Sequence, residues 1–302
     1  MIPKEKALKL IAIYMYLCDT YEQSLKYYCQ RYSNNNNPQF SDVEVMTIYI
    51  FAVCEEQCRK IKHIYNFTKN YLHDWFPKLP TYEQFNYRLN MLACTFERLY
   101  IELISKHIPA DCDLNNSIID SFPIVTCKGR NRKAKVACEI VDKGYCSTKN
   151  MYYYGLKLHF LGYRRKGTIP FPEIIYVSAA SENDMVVFKQ NFDPFVYNKI
   201  IFADKIYIDS DFFLEKECSQ NYQILTPVKI VKGEHEVVRQ WQKAANDLFY
   251  CAVSSVRQPV ESFFNWINEK TNIQDACKVR STAALLVHIF AKMAAAFIYC
   301  IF

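Results

Sequence analysis

Hydrophobic and polar positions follow two different patterns along this chain of 302 residues. Up to about Ile108, apolar residues recur every three or four positions, which is typical of amphipathic helices. The segment Ser41-Asp42-Val43-Glu44 supplies a capping Ser or Asp just before an apolar run. The pattern therefore predicts an all-helical first third, with helical segments at 4–32, 45–54, 58–75 and 81–106.

From Asn116 onward the chain has short apolar runs bounded by polar residues, which is typical of buried strands. Helical segments are predicted after Asn183 and after Asp209. Early hairpin-linked strands followed by alternating helices and strands indicate an α/β fold, in which a mixed sheet has helices on its faces. The predicted strands are 117–120, 151–162, 173–179, 199–204 and 222–226.

The composition is compatible with two domains. A content of 51% hydrophobic residues can bury a sizeable core. We predict a helical N-terminal domain at 1–112 and an α/β domain at 113–302. The apolar segment 283–302 is interrupted by His288 and Lys292, so a buried terminal helix is favoured over a membrane span, and no membrane partner is expected.

Thirteen cysteines, an odd number, are scattered along a chain that starts without a secretory leader. They are expected to be reduced thiols in a cytoplasmic protein. Cys54 and Cys58 stand at helical spacing but lack a second Cys or His pair nearby, which a closed structural zinc site requires. Core packing is the favoured interpretation of this pair.

Three acidic residues carry the candidate chemistry. Asp120 ends the apolar run 118–120, Asp204 ends the run 200–204, and Glu261 lies in a predicted helix. A buried carboxylate is costly unless it is paired or bound to metal, and hard cations such as Mg²⁺ prefer carboxylate oxygens. Two such ions can stabilise the attacking and leaving oxygens of a phosphoryl displacement. Other acids compete for the second position, but Asp184, Asp209 and Asp211 are better explained as helix caps or first-turn residues.

Positive charge is concentrated beside Asp120. The net charge is only +6, but the window 128–166 holds eleven Lys and Arg residues and two acidic residues, Glu139 and Asp142. Such a window favours a polyanion, because neutralised phosphates release condensed counterions; a solvated surface loop is the alternative interpretation. The candidate DNA contacts are Lys128, Arg130, Arg132, Lys133 and Lys157.

Five segments together resemble the bacterial insertion-sequence transposases of the DDE type, and the resemblance covers nearly the whole chain. Each segment is weak alone, but their order is specific. They are Leu79-Pro80-Thr81-Tyr82-Glu83-Gln84-Phe85-Asn86-Tyr87-Arg88-Leu89, Ile119-Asp120-Ser121-Phe122-Pro123, Tyr154-Gly155-Leu156-Lys157-Leu158-His159, Ala203-Asp204-Lys205-Ile206-Tyr207 and Arg257-Gln258-Pro259-Val260-Glu261-Ser262-Phe263-Phe264.

The resemblance implies a ribonuclease H-like catalytic domain in which Asp120, Asp204 and Glu261 bind two Mg²⁺ ions, with Mn²⁺ as a possible substitute. It further implies cleavage at the ends of a mobile element and joining of the freed 3′-hydroxyl to target DNA. Arg257, one helical turn before Glu261, is expected to hold a phosphate or to form an ion pair within its helix. Many relatives have Tyr and Lys where this chain has Ser254 and Asn268, so the phosphate contact of that Lys is unassigned.

The expected partner is double-stranded DNA, both the terminal repeats and the target. The resemblance also implies a homodimer or larger assembly on DNA, with the helical N-terminal domain recognising the ends. Two alternatives stay open. One is a metal-dependent nuclease that cuts without joining, and the other is a DNA-binding protein, derived from a transposase, that does not cut.

Overall fold

The structure is a computed structural model that describes residues 2–29, 31, 38–129, 135–146, 149–227 and 236–302, without the side chains of 236–246. The chain forms two compact units. The first consists of Met1–His107, Lys135–Glu139 and Trp266–Phe302, and the second of Ile108–Ala134 and Ile140–Asn265. The predicted division at residue 112 stays a prediction about domains; by compactness, the C-terminal segment groups with the N-terminal helices.

The elements follow the predicted order of helices, then strands alternating with helices. The helices are Lys4–Gln23 (α1), Asp42–Glu56 (α2), Ile61–Tyr71 (α3), Tyr82–Met91 (α4), Ala93–Lys106 (α5), Asp184–Asn191 (α6), Ser210–Gln220 (α7), Glu236–Arg257 (α8), Pro259–Thr271 (α9) and Thr282–Ile301 (α10). The strands are Cys112–Lys128 (β1), Asp142–Cys146 (β2), Met151–Arg165 (β3), Phe171–Ala179 (β4), Lys199–Phe202 (β5) and Tyr222–Leu225 (β6). Short 3-10 helices lie at Leu25–Tyr27, Asp193–Phe195 and Lys205–Tyr207.

The helical prediction for the first third of the chain is confirmed. Ser41 and Glu44 form the expected capping box at the start of α2, because each side chain bonds to the backbone N–H of the other. The predicted segment 81–106 is two helices that meet at Leu92, and a second capping box, from Thr81 and Gln84, starts the first of them. The predicted segment 4–32 is helical only to Gln23 before a short 3-10 helix.

One mixed sheet organises the second unit. β3 pairs antiparallel with β1 on one side and with β2 and β4 on the other, while β5 runs parallel to β1 and β6 runs parallel to β5. The predicted mixed sheet is therefore confirmed. β2 was not predicted, because its residues Asp142–Cys146 lack an apolar run and become a strand through pairing with β3. Pairing with β3 also extends β1 well beyond the predicted 117–120.

Each face of this sheet carries its own core. On one face, α6 and the 3-10 helix Lys205–Tyr207 pack over the sheet in a cluster of buried side chains. Its members are Ile119, Leu161, Met185, Val187, Phe188, Phe192, Val196, Ile201, Ala203, Tyr207 and Tyr222. On the other face, the ring centroid of Phe263 in α9 lies 4.5 Å from that of Phe160. Alternation along β1 and β3 thus sends neighbouring residues to opposite cores.

The terminal helix α10 belongs to the core of the helical unit. By length and composition it is the one helix, in the part of the chain that the structure describes, that could cross a membrane, with a mean hydropathy of 2.0. However, 67% of its apolar window is buried inside the protein, and Phe290 stacks on Tyr100 of α5. The buried Lys292 ammonium donates to the carbonyl of Asn272, so the polar stripe bonds to backbone. The expectation of a buried terminal helix is confirmed.

Candidate active site

Asp120 and Asp204 lie at the same edge of two neighbouring parallel strands. Ile118 of β1 is paired with Phe202 of β5, so each aspartate follows the same pair of residues by two positions. Equal offsets on parallel strands place the two side chains at one edge and toward one face. The carboxylate of Asp204 also caps the 3-10 helix Lys205–Tyr207 by accepting the N–H of Lys205 at 2.7 Å.

Glu261 reaches this edge through Arg257. The guanidinium of Arg257, the last residue of α8, donates to Asp120 Oδ2 at 2.6 Å, and its other nitrogen lies 3.5 Å from Glu261 Oε1. The chain breaks between the two residues, since α9 starts at Pro259. Arg257 and Glu261 therefore belong to separate helices, and the main partner of Arg257 is Asp120 rather than the i,i+4 glutamate.

The charge of Asp120 is held in a poorly solvated place. Burial raises the pKa of Asp120 to about 6, and the charges of Asp204 and Asp184 raise it further, whereas Arg257 and the N–H of Ser121 oppose the shift. The carboxylate is consequently short of positive charge even with its arginine. A divalent cation would satisfy this requirement, and the repulsion indicates that the acids act on one another.

Asp184 is a fourth carboxylate in this neighbourhood. It lies in the first turn of α6, as predicted, but it is buried and bonds to two residues of the sheet. Its oxygens accept from Ser121 Oγ at 3.0 Å and from Lys157 Nζ at 2.8 Å. Asp209 is the N-cap of α7 and Asp211 lies in its first turn, so the cap interpretation of these acids is confirmed. For Asp184 it is correct but incomplete, because sequence reasoning missed the contacts with β1 and β3.

A buried histidine completes the same network. His159 Nε2 lies 2.9 Å from Ser178 Oγ, and His159 Nδ1 lies 4.0 Å from Asp184 Oδ1. The three residue types are those of a nucleophilic triad, but Ser178 is buried and only 5% exposed, so it cannot meet a substrate. Burial lowers the pKa of His159 to about 4, which keeps the ring neutral at pH 7. His159 thus has the structural role expected from the sequence.

Tyr207 is a second residue that sequence reasoning missed. Its ring packs edge-on against Phe188 and is 1% exposed. Among the described residues, its hydroxyl oxygen is one of three buried side-chain oxygens without a hydrogen-bond partner. After burial, the charges of Asp184, Asp120 and Asp204 raise its pKa most, which indicates that the phenol faces the acids. The spacing Asp204-x-x-Tyr207 is visible in the sequence, but its burial is not.

The basic residues predicted to contact DNA differ in their surroundings. Lys128, at the end of β1, is exposed, whereas Lys157 is ion-paired with Asp184 and also donates to the carbonyl of Glu182. Arg130, Arg132 and Lys133 lie outside the described residues. The DNA contacts of all five stay predictions, and an available charge is observed at Lys128.

The departures from the family pattern keep their meaning in the structure. Asn268 accepts the N–H of Gln274 at 3.1 Å, which is a local structural bond at the end of α9. The ammonium of Lys270 lies 4.0 Å from the ring centroid of Tyr299, so its charge is directed into the helical unit. Neither residue is observed beside the carboxylates, in agreement with leaving Lys270 out of the site.

The donor chemistry fits a hard divalent cation, although the carboxylates are not arranged as a closed metal site. Within the described residues, no three His, Cys, Asp or Glu side chains lie close enough together to hold an ion. Asp120 and Asp204 share one strand edge, and Asp120 and Glu261 share Arg257 as their source of positive charge. Oxygen-only ligands are those that Mg²⁺ and Mn²⁺ accept. In this arrangement the guanidinium supplies the charge that a bound cation would supply.

Comparison with known protein families assigns the chain. Residues 113–298 match the family described as the transposase DDE domain. Because this match covers more than half of the sequence, the chain belongs to the family of DDE transposases, and its mixed sheet with flanking helices is the ribonuclease H-like domain of that family. Comparison with curated proteins finds no match, and comparison with solved structures finds none either.

Proposed function

We propose that this transposase cuts DNA at the ends of a mobile element and joins the freed 3′-hydroxyl to a target, with Asp120, Asp204 and Glu261 holding two Mg²⁺ or Mn²⁺ ions. The observation that carries the proposal is the register of β1 and β5, which brings the first two acids to one strand edge. Bound divalent ions would stabilise the attacking and leaving oxygens of an in-line phosphoryl displacement.

Arg257 has a defined role in this proposal. Without cations it neutralises Asp120 through the 2.6 Å ion pair. When cations take over that neutralisation, the guanidinium is released and can donate two parallel N–H groups to a phosphate. Arg257 therefore exchanges a carboxylate for the DNA backbone as the site is loaded. Its side chain is only 20% exposed, so the exchange takes place close to the acids.

The remaining assignments follow from family membership. Double-stranded DNA is the partner, as terminal repeats and as target. The helices of residues 1–112 recognise the ends and contribute to a homodimer or larger assembly, and Lys128, Arg130, Arg132, Lys133 and Lys157 contact phosphates. A cytoplasmic, nucleoid-associated protein in a bacterial cell is the expected setting.

The decisive experiment measures Mg²⁺-dependent cleavage and joining on DNA that carries the flanks of the gene. We expect Asp120→Asn, Asp204→Asn and Glu261→Gln each to remove both products, because each loses a charged ligand. Asp209→Asn is the matched control: this acid caps α7 and pairs with Lys189 at 2.6 Å, so its variant should keep the activity.

Each alternative has its own outcome in this experiment. Cutting without joined products would establish a nuclease. Binding of the flanks without cutting by the parent protein would establish a DNA-binding derivative that is catalytically silent. Cutting that survives one of the three substitutions would remove that residue from the site, and loss of activity in Asp209→Asn would point to a folding defect rather than a missing ligand.

A further inference from the structure

The buried hydroxyl of Tyr207 requires an explanation. A hydroxyl without a partner in a protein core costs about 1–3 kcal/mol, so native structures rarely keep one. Tyr222, in the same core, provides the contrast, because its hydroxyl donates to Asp193 Oδ1 at 2.5 Å. Since two buried tyrosines of one cluster differ in this way, the free hydroxyl of Tyr207 belongs to its position and not to the core in general.

The position of Tyr207 connects it to the acids through both strands. The neighbours of Asp120 and Asp204, Ile119 and Ala203, lie in the same buried cluster as the tyrosine ring. The backbone N–H of Tyr207 also donates to the carbonyl of Asp204 at 3.1 Å, which fixes the ring three residues beyond that acid. The phenol is therefore attached rigidly to the strand edge that carries the two carboxylates.

The acids around the phenol differ in how fully they are bonded. Asp184 accepts from Ser121 and Lys157, and Asp120 accepts from Arg257 and from the N–H of Ser121. When a cation replaces Arg257, Asp120 loses its strongest donor and becomes free to turn. A rigid donor on the opposite side would then limit its orientations, because a phenol donates one hydrogen bond from a fixed ring.

We propose that the Tyr207 hydroxyl is a positioning group of the carboxylate site, which donates a hydrogen bond toward Asp120 and Asp184 when a divalent cation is bound. The inference deepens the proposed function and rests on it. In the cation-free protein the hydroxyl stays without a partner, and cation binding provides one. Tyr207 itself does not touch the reacting atoms.

The test compares Tyr207→Phe with the parent protein in two measurements. One is the affinity for Mn²⁺ alone, from titration calorimetry, and the other is the melting temperature without cations. We expect Tyr207→Phe to bind Mn²⁺ roughly 10-fold more weakly, which is the usual effect of losing an outer hydrogen bond to a metal ligand. Without cations its melting temperature should be unchanged or higher, because the variant removes an unsatisfied hydroxyl.

Tyr222→Phe is the matched control. It loses a satisfied hydrogen bond, so it should melt at a lower temperature and keep the Mn²⁺ affinity of the parent. Equal Mn²⁺ affinity in Tyr207→Phe and parent would overturn the positioning role, as would a lower melting temperature of Tyr207→Phe without cations. Asp204→Asn separates the two levels of the argument: if it binds Mn²⁺ as the parent does, the proposed metal site fails as well, and if only Tyr207→Phe is unaffected, the metal site stands alone.

Discussion

At the scale of single residues, buried charges decide the behaviour of both units. In the sheet unit, Asp120 has a raised pKa of about 6 in spite of a 2.6 Å contact with Arg257. An ion pair that leaves its acid this short of stabilisation is suited to being broken, because a stronger cation can replace the arginine with a net gain. The energetic strain of the carboxylate edge thus favours loading of the proposed site.

The buried Lys292 leads to a prediction about pH. Burial lowers its pKa from 10.5 to about 7, Asp275 opposes the shift, and Arg59 adds to it. Between pH 7 and 10.5 the unfolded chain therefore binds more protons than the folded protein, so stability rises with pH in this window. We expect the parent to gain about 1 kcal/mol of unfolding free energy per pH unit that Lys292→Met does not gain. Urea unfolding at pH 7.5, 8.5 and 9.5 measures this difference.

The neighbouring groups set the control for this experiment. His288 faces Lys292 at 3.5 Å, but burial lowers the pKa of His288 to about 3, so the ring does not titrate between pH 7.5 and 9.5. Lys270→Met removes a lysine of the same unit without touching the buried ammonium. It should keep the pH slope of the parent, and an equal slope in Lys292→Met would show that Lys292 is charged throughout the window.

At the scale of elements, α2 and α4 are joined by an ion network that is almost fully buried. Asp42, in the first turn of α2, accepts two bonds from Arg88 of α4 at 2.6 Å and one from Arg31 at 2.8 Å. Arg88 also donates to the carbonyl of Cys29. This arginine, a candidate DNA contact by its sequence context alone, is therefore committed to holding the helices together.

Loss of the acid should weaken the helical unit strongly. Asp42→Asn removes the negative charge and leaves two arginines buried without compensation, which typically costs 3–5 kcal/mol, so we expect a loss of about 3 kcal/mol in the free energy of unfolding. Glu22→Gln is the control, because Glu22 forms an exposed pair with Lys26 and should change stability by less than about 0.5 kcal/mol. Chemical denaturation followed by circular dichroism compares them; equal losses in both variants would refute the role of the network.

Local signals explain which elements could be predicted. Capping residues and apolar periodicity specify the helices of the first third, and apolar runs that end in an acid specify β5 and the edge of β1. β2 depends on its partner strand, so no local pattern reveals it. The same limit applies to the site: the contact of Arg257 with Asp120 spans 137 residues, and that of Ser121 with Asp184 spans 63. The sequence predicts the acids, but their partners follow from the fold.

At the scale of the whole molecule, the family match and the compact units divide the chain differently. The matched range 113–298 includes most of α10, yet α10 packs in the unit that contains residues 1–107. A fragment that starts at residue 113 would expose the apolar side of α10 that α2 and α5 cover in the full chain. The helices at both ends of the sequence thus form one folding unit, and functional tests require the full chain.

A charge placed in α10 tests whether this helix is a core helix. Ala295 is fully buried and its carbonyl accepts from Cys54 Sγ at 3.0 Å, whereas Cys300 is exposed near the end of the same helix. Ala295→Glu should lower the melting temperature by roughly 10 °C or prevent folding, because a buried unpaired carboxylate costs several kcal/mol. Cys300→Glu should melt within about 2 °C of the parent. If the parent instead floats with lipid vesicles and both variants melt alike, α10 lies in a membrane and not in the core.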